Sequence, residues 1–207
     1  MLENKVILIG YSGHGHVVAD TAIENKLIIL GYADNSLVVN NPFLLNYLGN
    51  EREEDFFNKY RGVKFLIGIG DNIIREKIYN LIIEKEREID SLISQSASIS
   101  KYASIGIGAF VNKNVSINAF AKIGNNVILN TACIIEHDCV VGDSAHIAPG
   151  AVLAGNVIVG DRSFIGANSI IKQGVVIGKD VIVGAGSVVI NDIADSKKIV
   201  GNPSRFI

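Results

Sequence analysis

Tryptophan is absent from this 207-residue chain, proline occurs three times, cysteine twice, and aromatic residues make up only 7%. Since 48% of the residues are nevertheless hydrophobic, the apolar material is aliphatic. With 21 glycines, that balance suits many short stacked strands better than a helical bundle. Neither sign of charge dominates. A formal net charge of −2 gives no electrostatic case for nucleic acid or for a membrane surface. Long hydrophobic runs are missing too. The N-terminus offers only residues 6–9, closed by Gly10, too short for a signal peptide or a membrane span, so the expected location is cytoplasmic. Cys133 and Cys139 are six residues apart. A metal or redox pair is one reading of them. The favoured one is that both fill the same small inward slot of a repeat.

That repeat fills the second half of the chain. Stepping in sixes from Ile99 through Ile105, Val111 and Ile117 to Val189 meets only Ile, Val or Leu, with no residue skipped or inserted. Two places before each stands Ala, Val, Cys or Ser, from Ala97 to Ser187. Each hexad therefore supplies one large and one small inward side chain, and the residues between them face outward or turn a corner. Gly106, Gly124, Gly142, Gly160 and Gly178 recur every eighteen residues. Glycine at that interval marks corners needing positive φ or close approach between coils. Three hexads per turn make a triangular parallel β-helix, its coils stacked at about 4.8 Å. Such a helix has open ends and needs a cap. The last residues, 191–207, lose the period and read as a terminal turn and short tail.

The first third has other periods. Residues 5–10, 27–33 and 65–69 read as strands. An amphipathic helix is expected over 16–25, and a second one, capped by Asp71, places Ile74, Ile78, Leu81 and Ile82 on one face. Strand–helix–strand alternation predicts a small Rossmann-like parallel α/β sheet. The expected domains are 1–93 and 94–207. Residues 10–15 spell G-x-x-G-x-G between a strand and a helix, where backbone N–H groups can hold a phosphate. The spacing is not the dinucleotide G-x-G-x-x-G. Asp34 ends the next strand, where doubly wound folds often bind a nucleoside. His14 reads equally as a ligand contact and as a loop residue without function.

Of the four histidines, His14, His16, His137 and His146, the third stands apart. His16 falls on the first helical turn, in a structural or solvent-facing role. His137 follows inward Ile135 by two places, at an outward or corner position of a rigid scaffold. Neutral imidazole there suits a general base, and Glu136 or Asp138 could orient it. A solvated face of mixed charge explains the same residues equally well.

Several strings resemble one family. Residues 10–15 (GYSGHG), 68–75 (GIGDNIIR), 130–142 (NTACIIEHDCVVG), 146–150 (HIAPG) and the terminal Gly201-Asn202-Pro203 look like the nucleotide-sugar acetyltransferases of the PglD/NeuD type, along essentially the whole chain. The resemblance implies a left-handed β-helix and acetyl transfer from acetyl-CoA, without a metal, to the 4-amino group of a nucleotide-linked 4-amino-4,6-dideoxy sugar. It implies that His137 is the base and Glu136 its orienting partner, and that His146 and Gly155 line the thioester site. Gly13, His14, Asp34 and Asn130 would contact the nucleotide sugar, so that domain 1–93 binds the sugar nucleotide and domain 94–207 carries the acetyl transfer. Where relatives can have two acidic residues at the nucleoside-binding strand end, this chain has Asp34 followed by Asn35, which leaves the base open. The period agrees on one point: Gly155 lies eighteen residues after His137, on the same face one coil along.

A sugar or sialic acid O-acetyltransferase on the same scaffold is the alternative. A hexapeptide-repeat carbonic anhydrase needs three metal-bound histidines, and this β-helix has two. A non-enzymatic scaffold would release no CoA with any acceptor. His137 and His146 are nine residues apart, half a coil, so one chain should present them on different faces. If both serve one site, they meet most simply between subunits of a homotrimer.

Overall fold

In the computed structural model, which describes residues 4–207, the hexads become two-residue strands such as Ile134–Ile135, Val140–Val141 and His146–Ile147. The second member of each is the large aliphatic of the period. Strands eighteen residues apart pair in parallel, Ile135 beside Leu153 and Val141 beside Val159. Three sheets of eight, six and five strands result, so each coil contributes one strand to each sheet. The inward residues form one continuous core that includes Ile135, Val141, Ile147 and Leu153. Cys133 and Cys139 are buried there as free thiols, filling the small slot beside the large one.

The corners divide two tasks that the sequence left together. Positive φ falls three places after each inward aliphatic from Ile105 to Val183, and there Asn126, Asp138, Ser144, Asn156 and Asn168 lie between +55° and +60°. Short polar side chains tolerate that region better than other non-glycine residues. The glycines spaced by eighteen serve close approach instead: a Cβ on Gly142 would stand 2.7 Å from the Asp161 nitrogen and 2.9 Å from the Gly160 carbonyl carbon. Carboxylate and amide side chains then tie coil to coil. The Asn125 N–H donates to Asp143 Oδ1 at 2.7 Å, and the Asp143 N–H donates to Asp161 Oδ1 at 3.1 Å.

The C-terminus is more than a tail. Lys198–Val200 pairs in parallel with Ile182–Val183, and Arg205–Phe206 folds back antiparallel on it. Reversing the last strand ends the stacking and protects the open edge.

The chain divides into two units, one ending at Leu92 and the other Ile93–Ile207. In the first, β1 (Lys5–Ile9), α1 (Gly13–Glu24), β2 (Ile28–Ala33), α2 (Phe56–Lys59), β3 (Lys64–Ile67) and α3 (Asn72–Glu84) follow in order. The sheet is parallel with order β2-β1-β3. A Cβ on Gly15 would meet the Gly10 carbonyl, and one on Gly68 would stand 2.7 Å from the Gly15 Cα. These glycines therefore let α1 press onto the sheet. Asp71 caps α3 as expected, accepting from the Ile73 and Ile74 N–H groups. The buried face of α3 is Asn72, Arg75, Ile78 and Ile82, while Ile74 is 47% exposed, unlike the expected stripe. No described helix is long and apolar enough to cross a membrane.

Candidate functional site

His137 occupies the corner between the strands Ile134–Ile135 and Val140–Val141, which belong to the six- and five-stranded sheets. Its side chain is about half exposed, and Nδ1 lies 2.9 Å from Asp138 Oδ2. A carboxylate can only accept a hydrogen bond, so this pairing puts the ring proton on Nδ1 and leaves the Nε2 lone pair free. Asp138 rather than Glu136 is thus the ring's partner within the chain; Glu136 makes no hydrogen bond to it. The left-handed turn at Asp138, φ +60°, brings its side chain alongside the ring.

One coil along, Gly155 lies under the imidazole. A Cβ there would sit 2.5 Å from His137 Nε2 and 2.6 Å from Cε1. The coils are held in register by the Asn156 N–H, which donates to the His137 carbonyl at 2.9 Å. The Gly155 N–H has no acceptor among the described residues, like those of Asp161, Ala167 and Gln173 at the same place in their hexads, whereas those of Asn125, Asp143 and Lys179 each donate to an aspartate. Cys139 is inert as a nucleophile: its thiol donates to the Ala154 carbonyl at 3.1 Å, and burial raises its pKa. Burial pushes the Cys133 thiol up to about 12. Among the described residues no group of three His, Cys, Asp or Glu is placed to hold a metal.

His146 and Asn130 are brought to each other, with Nε2 and Nδ2 3.2 Å apart. His146 is only 8% exposed and stands edge-on to Phe164 at 5.0 Å. It belongs to the eight-stranded sheet, so a single chain holds the two β-helix histidines on different faces.

In the N-terminal unit, Ser12, Asp34, Glu51 and Gly70 line a cleft of about 300 Å³ at the carboxyl ends of the three strands. The Tyr11 N–H donates to Asp34 Oδ2 at 2.9 Å, holding the carboxylate at the strand end. Nothing lies within 4 Å of where a Gly13 side chain would begin. His14 is lowered to about 4, first by burial and then by the charge of Arg75, so its imidazole is neutral at pH 7. Arg75, itself lowered to about 9 by burial, donates to the Gly70 carbonyl at 3.1 Å and fixes the loop after β3. His16 is structural, edge-on to Tyr11 at 4.8 Å.

Sequence reasoning passed over Arg75 and Glu51. Arg75 stood in a quoted string, but only its burial marks it. Glu51 sits in a charged stretch that reads as solvated surface, yet is 4% exposed.

Comparison with known proteins supplies context for both units. A model of the PglD N-terminal domain matches residues 5–82. The bacterial transferase hexapeptide model (six repeats) matches 120–155, and the model of the hexapeptide repeat of succinyl-transferase matches 156–190. No curated protein matches the chain. Among solved structures, a variant of perosamine N-acetyltransferase from Caulobacter crescentus, in complex with CoA and GDP-perosamine, is 31% identical. The match covers 98% of this chain and 96% of that one at a TM-score of 0.92. The acetyltransferase domain of PglB from Neisseria gonorrhoeae, in complex with acetyl coenzyme A, is 29% identical, covering 99% of each chain at 0.90. WeeI from Acinetobacter baumannii is 27% identical, covering 98% of this chain and 99% of its own at 0.88.

Proposed function

Since this chain belongs to the PglD-type sugar acetyltransferases, we propose that it transfers acetyl from acetyl-CoA to the 4-amino group of a nucleotide-linked 4-amino-4,6-dideoxy sugar. The observation that carries this reading is the trio at one corner: His137 with Nδ1 held by Asp138, Nε2 facing bare Gly155, and a Gly155 N–H without an acceptor among the described residues. The relative crystallised with CoA and GDP-perosamine supports the substrate class.

The chemistry follows from these atoms. An amine attacking a thioester carbon must lose a proton, and Nε2 of His137 is the free base that takes it within hydrogen-bond reach. Asp138 holds the tautomer and steadies the imidazolium that forms. Negative charge growing on the thioester oxygen needs fixed donors, and the Gly155 N–H is one. With both thiols buried, the transfer is direct, without an acyl-enzyme. Gly13, His14 and Asp34 of the N-terminal unit hold the nucleotide sugar, and neutral His14 offers a hydrogen bond without a charge.

A homotrimer with sites between subunits completes the reading. Two outward apolar ladders flank the His137 corner, Val140, Ile158 and Val176 on one sheet and Ile134, Val152 and Ile170 on the other. Val140, Ile158, Val176 and Ile170 are 36–47% exposed in the single chain. Exposed aliphatic stripes of this kind mark association surfaces. The reaction would run in the cytoplasm, on the acetyl-CoA available there.

Thiol release with nucleotide-linked 4-amino sugars tests the assignment. His137→Ala is expected to lower kcat by about 10²-fold or more while leaving acetyl-CoA affinity unchanged. Near-wild-type turnover would remove His137 from the mechanism. Faster turnover with hydroxyl-only sugars than with amino sugars would make the enzyme an O-acetyltransferase.

A further inference from the structure

Three carboxylates line the cleft above the N-terminal sheet, and two are already engaged. Asp71 Oδ1 accepts the Ile73 and Ile74 N–H groups at 3.0 and 2.9 Å. Asp34 accepts the Tyr11 N–H on Oδ2 and the Asn35 N–H on Oδ1. Glu51, between β2 and β3, is different. Its Oε1 lies 3.6 Å from Arg52 Nε, and its buried Oε2 has no hydrogen-bond partner among the described residues. A buried carboxylate oxygen without a donor is strongly unfavourable, and such a group calls for a specific explanation. Burial pushes the Glu51 carboxyl above the usual range, against the opposing pull of its own backbone N–H and of the Arg52 charge. Ile69, Ile74 and Ile78 supply an aliphatic part of the cleft wall, with Ile74 left 47% exposed, and Ser12, Asn35 and Arg52 supply a polar part. The aliphatic part suits the faces of a planar ring.

We infer that Glu51 reads the base of the nucleotide sugar and selects guanine. The ring packs on Ile69 and Ile74, and the Glu51 carboxylate accepts from N1–H and the 2-amino group. This rests on the reading of the N-terminal unit as the nucleotide-sugar site. The selectivity is chemical. Guanine presents two adjacent donors on one edge, which match the two oxygens of an acceptor-only carboxylate. Uracil and thymine present one N–H between two carbonyl oxygens, and a carboxylate repels both of these.

Calorimetric titration of the full chain with GDP, IDP, UDP, dTDP and acetyl-CoA tests the assignment. GDP should bind about 10- to 100-fold more tightly than UDP or dTDP, the scale of hydrogen bonds to a charged group. IDP, which lacks the 2-amino group, should fall about 10-fold below GDP on the wild-type protein. Glu51→Gln replaces an acceptor with an amide and should weaken GDP about 10- to 100-fold, with UDP and acetyl-CoA affinities unchanged. The GDP–IDP comparison on the wild-type chain needs no variant. Equal affinity for GDP and IDP, or GDP binding indifferent to Glu51→Gln, overturns the role of Glu51. Tighter binding of UDP or dTDP overturns the choice of guanine while leaving the nucleotide-sugar reading in place. Binding of acetyl-CoA with none of the nucleotides overturns both.

Discussion

An α-carbon without a side chain at position 155 is what leaves room for the His137 ring. Gly155→Ala would place a methyl 2.5 Å from Nε2, forcing the imidazole to swing and break its 2.9 Å bond to Asp138. We expect kcat to fall about 10- to 100-fold, since a displaced base loses most of its catalytic contribution. Unfolding temperature should change little, because the ring is half exposed and free to move. An unaltered kcat would show that the ring does not work from its position over Gly155. The neighbouring carboxylates give a second comparison. Of the two carboxylates Asp138 is the one that touches the ring, so Asp138→Asn should lower kcat more than Glu136→Gln does. The reverse order, measured on purified variants at saturating substrates, would return the orienting role to Glu136.

At the scale of the element, the β-helix corners and the first turn of α1 make separate claims. Asn126 sits at φ +56°, buried, and its Nδ2 donates to Ser144 Oγ at 2.8 Å across one coil. Asn126→Ala removes that bond and leaves a residue poorly suited to positive φ, so stability should drop by about 1–3 kcal/mol. Denaturant melts check this, and a neutral result would mean that the backbone stacking alone holds the corner. His14, near the start of α1, is held neutral with its folded pKa lowered from 6.5 to about 4. The stability tied to its neutral form is complete above pH 6.5 and is lost as pH falls toward 4. The full shift corresponds to about 3 kcal/mol. His14→Gln should therefore flatten the acid side of the stability profile. Tyrosine fluorescence reports on this unit, because five of the six tyrosines precede residue 93. An acid profile unchanged by the substitution would show that other groups set it.

For the whole molecule, the decisive question is whether one chain makes a complete site. His137 lies at one corner and His146 on the eight-stranded sheet, so these side chains meet only if neighbouring chains bring them together. His137→Ala and His146→Ala proteins are each expected to be nearly inactive. Mixed trimers of the two should regain activity at sites that take one intact histidine from each chain. Verified mixed trimers that stay inactive would overturn a site shared by His137 of one chain and His146 of its neighbour.

Periodic burial is a local rule repeated many times, and so it is legible in one dimension. The run from Ile99 to Val189 specified the β-helix, its three faces, its core and the stacking of Gly155 on His137, because a core two side chains wide per hexad admits no other register. The three strands, the two longer helices and the Asp71 cap of the N-terminal unit were readable from local pattern as well, whereas the short helix Phe56–Lys59 was not. What depends on side-chain direction at irregular backbone was not. That Asp138 rather than Glu136 meets the ring follows from a left-handed turn at a residue most would place in an ordinary corner. That Ile74 faces the cleft, that the last residues fold back as a strand, and that Glu51 is buried all follow from how separate segments pack. Burial is a property of the assembled surface, and a charged stretch such as residues 51–55 carries no sign of which member the fold encloses.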